Sequence, residues 1–153
     1  MGAPDTAAVL AKIDVFDGLS PRVLKEVAKS TETVRFAAGE AVVSQGDSVG
    51  GFKVFSPTGV NMHVVLEGSA SVRVNGVPVA TLTPGEYFGE LSLIDGEPRS
   101  ADVVAQAEGL TTLALSNWAF AELLDKHPEV AVPMLKVLVA RLRRAEAAGN
   151  AGE

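Results

Sequence analysis

Glu90, Arg99 and Ser100 are the residues whose types and spacing could act together on a ligand, in the stretch Phe88 to Val103, FGELSLIDGEPRSADV. Gly89 stands where a backbone can approach a ligand closely, and the apolar run Leu91 to Ile94 follows Glu90. After the turn Asp95-Gly96-Glu97-Pro98 come Arg99 and the hydroxyl of Ser100. A one-turn helix starting near Glu90 would aim its free N–H groups, those of Leu91 and Ser92 among them, at an anion. Arg99 can close over the same anion with forked, charge-assisted hydrogen bonds. Glu90 cannot hold a phosphate, because both are anions. It can accept a hydrogen bond from a sugar hydroxyl, as acidic residues do beside nucleotide riboses. By type alone Glu90 and Arg99 also read as an ion pair across a turn, and Ser100 as a turn cap.

The elements that must position this stretch can be read around it. Val9, Leu10, Ile13 and Phe16 give Ala7 to Phe16 a helical spacing, stopped by Asp17-Gly18. Ser20 and Pro21 start a second helix that turns Leu24, Val27 and Ala28 inward. From Thr33 the period becomes that of strands, with Val34 and Phe36, then Ala41 and Val43, around the turn Ala38-Gly39-Glu40. Met62–Leu66 and Ala70–Val74 flank Glu67-Gly68-Ser69, which predicts a hairpin. Asn75-Gly76 predicts a tight turn into Val77–Leu82. Thr83-Pro84-Gly85-Glu86 turns the chain into Tyr87-Phe88, and Ala101–Ala105 and Leu110–Leu115 are the last expected strands.

Many short strands with glycine-rich turns imply an antiparallel sandwich or barrel. Ser116 and Asn117 cap an expected helix from Trp118 to about Lys126, and Val130–Arg144 forms another. Pro133 either kinks that helix or marks where its regular part begins. Its Val132, Leu135, Val139 and Leu142 make a heptad-like seam, to pack on the sheet or on a second copy. The segment Ser48 to Asn61 reads equally as a strand extension through Phe52, Val54 and Phe55 or as a loop.

FGEL, an apolar helical turn, PRSA and an apolar strand, taken as one pattern, resemble the phosphate-binding cassette of the cyclic nucleotide-binding domain family. That family includes the catabolite activator protein and the regulatory subunits of protein kinase A. Phe16-Asp17-Gly18-Leu19-Ser20 is similar to its FxGLS signature. The resemblance implies a mainly β fold, an antiparallel β jelly-roll barrel with N-terminal helices and two C-terminal helices. It implies one domain over 1–153, with N-terminal helices 1–32, barrel 33–115, cassette 88–101, C-terminal helices 116–147 and a tail 148–153.

It also implies a ligand site of Gly89, Glu90, Leu91, Ser92, Arg99 and Ser100, closed over by the C-terminal helices. Matching from His127-Pro128-Glu129 onward adds Arg141 and Glu146, while Ala145 stands where the family places a hydroxyl that reads the base. Glu146 could accept a hydrogen bond from adenine's amino group, or be a solvated helix end. The expected ligand is cAMP. Guanine carries an amino group too, and cGMP-selective members often have Thr where Ser100 stands, so cGMP remains an alternative.

Composition bounds the function. At 153 residues, 47% hydrophobic and 21% charged, the chain can bury a core like an ordinary globular domain. A net charge of −6 argues against a nucleic-acid surface. The absence of cysteine excludes disulfides and thiolate chemistry. No apolar run approaches a bilayer span and no signal peptide is apparent, so a cytoplasmic location and no membrane partner are expected. Met1 to Thr6 fits the loose myristoylation pattern, but a solvated start is preferred.

Metal-dependent enzymes on jelly rolls need several converging His, and only His63 and His127 exist, so no enzyme, metal or cofactor is expected. Unless the sequence is a fragment, no helix-turn-helix and no DNA binding are expected beyond the last helix, and Arg141, Arg143 and Arg144 read as cations complementing a helix C-terminus. The expected function is a sensor that captures a cyclic nucleotide and signals to an unknown downstream protein, with a homodimer through the C-terminal helix possible. The alternative is a degenerate member that binds no nucleotide and serves as an interaction module.

Overall fold

β3 (Asn61–Val74) and β6 (Asp102–Ser116), two long antiparallel strands, carry the architecture in a computed structural model that describes residues 6–13, 16, 18–46, 61–89 and 100–151. β1 (Thr31–Phe36) and β2 (Ala41–Val43) pair with β6, while β4 (Val77–Leu82) and β5 (Tyr87–Phe88) pair with β3. The result is a mainly antiparallel six-stranded sheet of order β1-β6-β3-β4, with β2 and β5 attached to its central strands. Among the described residues the ladder is open rather than closed into the expected barrel, with β1 and β4 at its ends. The apolar interior of the sheet is built from Phe36, Val42, Val65, Leu82, Phe88, Val103 and their neighbours. Val43 is buried as expected, but Ala41 is exposed and Val42 is buried too, so this short strand does not alternate.

The hairpin expected at Glu67-Gly68-Ser69 is not formed. β3 continues through it as one strand, and β6 likewise joins the two strands expected on either side of Gln106 to Gly109. The register explains why. Gly68 pairs with Leu110 and Ala70 with Ala105, so Ser69 alone stands opposite Gln106, Ala107, Glu108 and Gly109. Gly68 and Gly109 both take positive φ, 79° and 76°, and both strands bend at one corner. The Ser69 hydroxyl donates to Gln106 Oε1 at 2.6 Å across it. At the other expected turn, Asn75 and Gly76 take φ of 52° and 78°, the pattern of a two-residue hairpin loop.

The chain divides into two compact units, Lys29–Phe120 and a helical unit formed by Met1–Ala28 with Ala121–Glu153. In the helical unit, α1 is shorter than expected, Thr6–Leu10, and α2 spans Pro21–Lys29. The Ser20 hydroxyl accepts the Val23 N–H at 3.3 Å, capping α2 as its sequence requires. Leu10, Ile13, Phe16, Leu24 and Val27 are buried.

α3 (Asn117–Lys126) is capped by Ser116, whose hydroxyl accepts the Ala119 N–H at 3.2 Å. Near its end Lys126 Nζ donates to Glu122 Oε1, which holds the Glu122 carboxyl below and the Lys126 ammonium above their usual ranges. After a 3-10 turn at Pro128–Val130, α4 runs over Ala131–Ala151, past the expected Arg144. Pro133 falls in its first turn, where a missing N–H costs little. α4 carries two apolar stripes. Met134 is buried with Val137 and Leu138 half-buried, whereas Val132, Leu135, Val139 and Leu142 are 54, 58, 47 and 58% exposed.

Candidate ligand-binding site

The start of the candidate segment is pinned to β3 by a short ladder. Gly85, at φ 93°, donates its N–H to the Val65 carbonyl at 2.9 Å, and the Val65 N–H donates to the Glu86 carbonyl at 2.9 Å. The Thr83 hydroxyl closes the turn by donating to Glu86 Oε1 at 2.9 Å. β5 then pairs Val64 with Tyr87 and His63 with Phe88. Tyr87 and Phe88 are buried, and the Phe88 ring stacks on the His63 imidazole with centroids 5.1 Å apart and planes 13° apart.

Gly89 follows at φ 91°, a left-handed conformation that a residue with a Cβ adopts only at a cost. This backbone turn lies immediately before Glu90.

The far end of the segment is fixed to the same strand. Ser100 is an exposed bend residue, Ala101 is half-buried, and Asp102 pairs with Arg73 of β3. Asp102 Oδ1 accepts the Gln45 N–H at 2.6 Å. Gln45 in turn exchanges two hydrogen bonds with Asn75, donating from Nε2 to Oδ1 at 3.0 Å and accepting the Asn75 N–H at 2.8 Å. The turn after β2, the β3–β4 turn and the first residue of β6 are thus tied together. Between these anchors, Glu90, Leu91, Ser92 and Arg99 lie outside the described residues, as does the Ser48 to Val60 part of the ambiguous segment.

Arg141 and Glu146 belong to the helical unit, both on α4. They do not share a helix face, since five positions turn an α-helix by about 140° from the starting side. Arg141 is half-buried, one heptad beyond the buried Met134. Glu146 is exposed, one heptad beyond Val139 of the exposed stripe.

Among the described residues no group of three or more His, Asp or Glu is placed to hold a metal ion. No described helix is long and apolar enough to cross a membrane. The sequence pattern gave no reason to attach His63 to this site. Only the strand register, which brings it beside Phe88, does so.

Residues 33–127, covering nearly all of the sheet, the candidate segment and α3, match the cyclic nucleotide-binding domain family. A cyclic nucleotide-gated potassium channel of Mesorhizobium japonicum is 35% identical over 133 residues, 87% of this chain and 34% of the channel. A cAMP-dependent protein kinase regulatory subunit of Emericella nidulans is 32% identical over 103 residues, 66% of this chain and 23% of that protein. The crystal structure of the Thermus thermophilus catabolite activator protein superposes with a TM-score of 0.73 at 30% identity, covering 90% of this chain and 62% of that one. The chain thus spans about a third or less of the length of these two curated relatives. The open antiparallel sheet with its flanking helices matches the jelly-roll fold of that family. With the candidate segment, α3 and all of the sheet but the first two residues of β1 inside the matched range, this chain belongs to the cyclic nucleotide-binding domain family.

Proposed function

We propose that this chain is a cytoplasmic regulatory domain that captures a cyclic nucleotide, cAMP in preference to cGMP, and signals to a protein partner by binding rather than catalysis. The observation that carries the reading is Gly89, left-handed at φ 91° between Phe88, which pairs with β3, and Glu90. The N–H groups of Leu91 and Ser92, the Arg99 guanidinium and the Ser100 hydroxyl are assigned to the cyclic phosphate. Glu90 is assigned to the ribose hydroxyl. From α4 we assign Arg141 to the ligand, and Glu146 to an exocyclic amino group of the base. The ligand can shift the domain between states only by its difference in affinity for them.

Calorimetric titration with cAMP, cGMP and non-cyclic AMP tests the assignment. The expected order is cAMP first, cGMP weaker by about tenfold or less, and AMP weaker than cAMP by at least about a hundredfold. AMP binding as well as cAMP, or no heat with either cyclic nucleotide, would overturn it.

We assign the exposed stripe of α4 to a second copy of this chain. Four large apolar side chains in one line exceed the scattered exposure normal on a surface. Val132 and Val139 alternate with Leu135 and Leu142 as β-branched and leucine positions do in parallel two-stranded coils. Sedimentation of the protein is expected to give a dimer, and Leu135→Glu with Leu142→Glu a monomer of unchanged helix content. A monomeric wild type at every concentration reached would refute this pairing.

A further inference from the structure

We propose that His63 is a positioning residue for the ligand segment: its imidazole, fixed by Thr112, holds the Phe88 ring and so sets the backbone of Gly89. This rests on the cyclic-nucleotide reading above.

His63 is 0% exposed, in the run Met62–Val65 whose side chains are all buried. A polar ring in such a place requires hydrogen bonding, and its Nδ1 is bonded to the Thr112 hydroxyl at 2.9 Å. Thr112 is also 0% exposed and belongs to β6, the strand on the opposite side of β3 from β4. Phe36 of β1 approaches the imidazole edge-on, with centroids 6.0 Å apart and planes at 71°. The ring is therefore held from β6 and β1 and offers a face to Phe88 of β5.

The torsion that turns an imidazole about its bond to Cβ is broad, so packing alone selects its plane weakly. A bond from Nδ1 to a buried hydroxyl selects one plane, and the stacked Phe88 ring follows it. Gly89 has no side chain with which to anchor itself. Its left-handed φ follows directly on Phe88, whose backbone also pairs with His63. A core that needed only volume could use an apolar residue here; an imidazole tied to a hydroxyl specifies orientation as well.

The test combines cAMP and cGMP titrations with the Gly89 amide resonance of the ligand-free protein. His63→Ala is expected to weaken cAMP binding about tenfold, and Thr112→Val, which removes the hydroxyl at nearly constant shape, about fivefold. Thr112→Ser, which keeps the hydroxyl, is expected to retain wild-type affinity. The Gly89 resonance should move in the alanine and valine variants but not in the serine variant.

Leu24→Ala, a core truncation in α2, should lower stability with affinity unchanged, which separates positioning from general loosening. If His63→Ala does not fold, Thr112→Val and its serine rescue decide. Wild-type affinity in folded Thr112→Val together with an unmoved Gly89 resonance overturns the proposal. A wild type that binds neither cyclic nucleotide sinks the ligand reading instead, and the Gly89 resonance then decides the mechanical link by itself.

Discussion

Arg99→Ala is expected to lower cAMP affinity by about a hundredfold to a thousandfold while leaving the fold intact. A cyclic phosphodiester brings one negative charge to a chain of net charge −6, so the site must supply its own positive field. At the phosphate of the proposed site that field comes from the N–H groups at Leu91 and Ser92 and from the Arg99 guanidinium. A hydrogen bond to a charged group is worth about 1.5–3 kcal/mol, and a forked pair supplies two. Two such bonds amount to about 3–6 kcal/mol, and water taking the place of the guanidinium on the phosphate recovers part of it, so the loss falls at the lower end, about 3–4 kcal/mol, hence the predicted range. Arg99→Lys keeps the charge but not the fork and should fall between the two. Titration calorimetry reads the affinities and circular dichroism the fold; a folded Arg99→Ala that binds cAMP normally would remove Arg99 from the site.

How far the sequence reveals this molecule depends on whether a signal is local. Asn75-Gly76 and Ser20-Pro21 are legible because the chemistry that makes the turn or cap lies within a few residues, and both form as expected. Thr83 to Glu86 is legible for the same reason. Glu67-Gly68-Ser69 misleads, because glycine reports that the chain bends but not whether its neighbour bends with it. Here β6 bends at Gly109 and the ladder resumes beyond the corner, so a hairpin signature becomes the middle of one strand.

The site shows the same division. FGEL and PRSA can be found by reading along the chain, and the family match contains both. The contacts of His63 cannot, since Phe88, Thr112 and Phe36 come from three other strands. Helical periodicity does place Arg141 and Glu146 on different faces, so that separation was available from spacing alone.

Gly68→Ala should be the most damaging of the glycine substitutions tested in this sheet, destabilising the protein by about 3 kcal/mol or more. The left-handed φ of 79° alone costs an L residue about 1–2 kcal/mol. The added methyl would also overlap the Gly109 carbonyl oxygen and lie 3.0 Å from its carbon and 3.2 Å from the Leu110 Cα. All three are backbone atoms, so no side-chain rotation can relieve the contact. β3 and β6 must part at the corner, with ladder hydrogen bonds worth about 1 kcal/mol each at risk.

Gly109→Ala meets only the Phe36 carbonyl oxygen at 3.1 Å, and Gly76→Ala meets nothing within 4 Å. The expected order of destabilisation is therefore Gly68, then Gly109, then Gly76, read as falling urea midpoints at constant slope. Equal midpoints for Gly68→Ala and Gly76→Ala would show that the corner is not close-packed. The consequence reaches the ligand, because Gly68 lies on β3 between His63, which pairs with Phe88, and Arg73, which pairs with Asp102. A corner forced open changes the separation of the two anchors from which Gly89 and Ser100 extend. Under conditions where Gly68→Ala remains folded, its cAMP affinity should therefore fall as well, whereas Gly76→Ala, whose added methyl meets open space at the β4 hairpin, should bind as wild type.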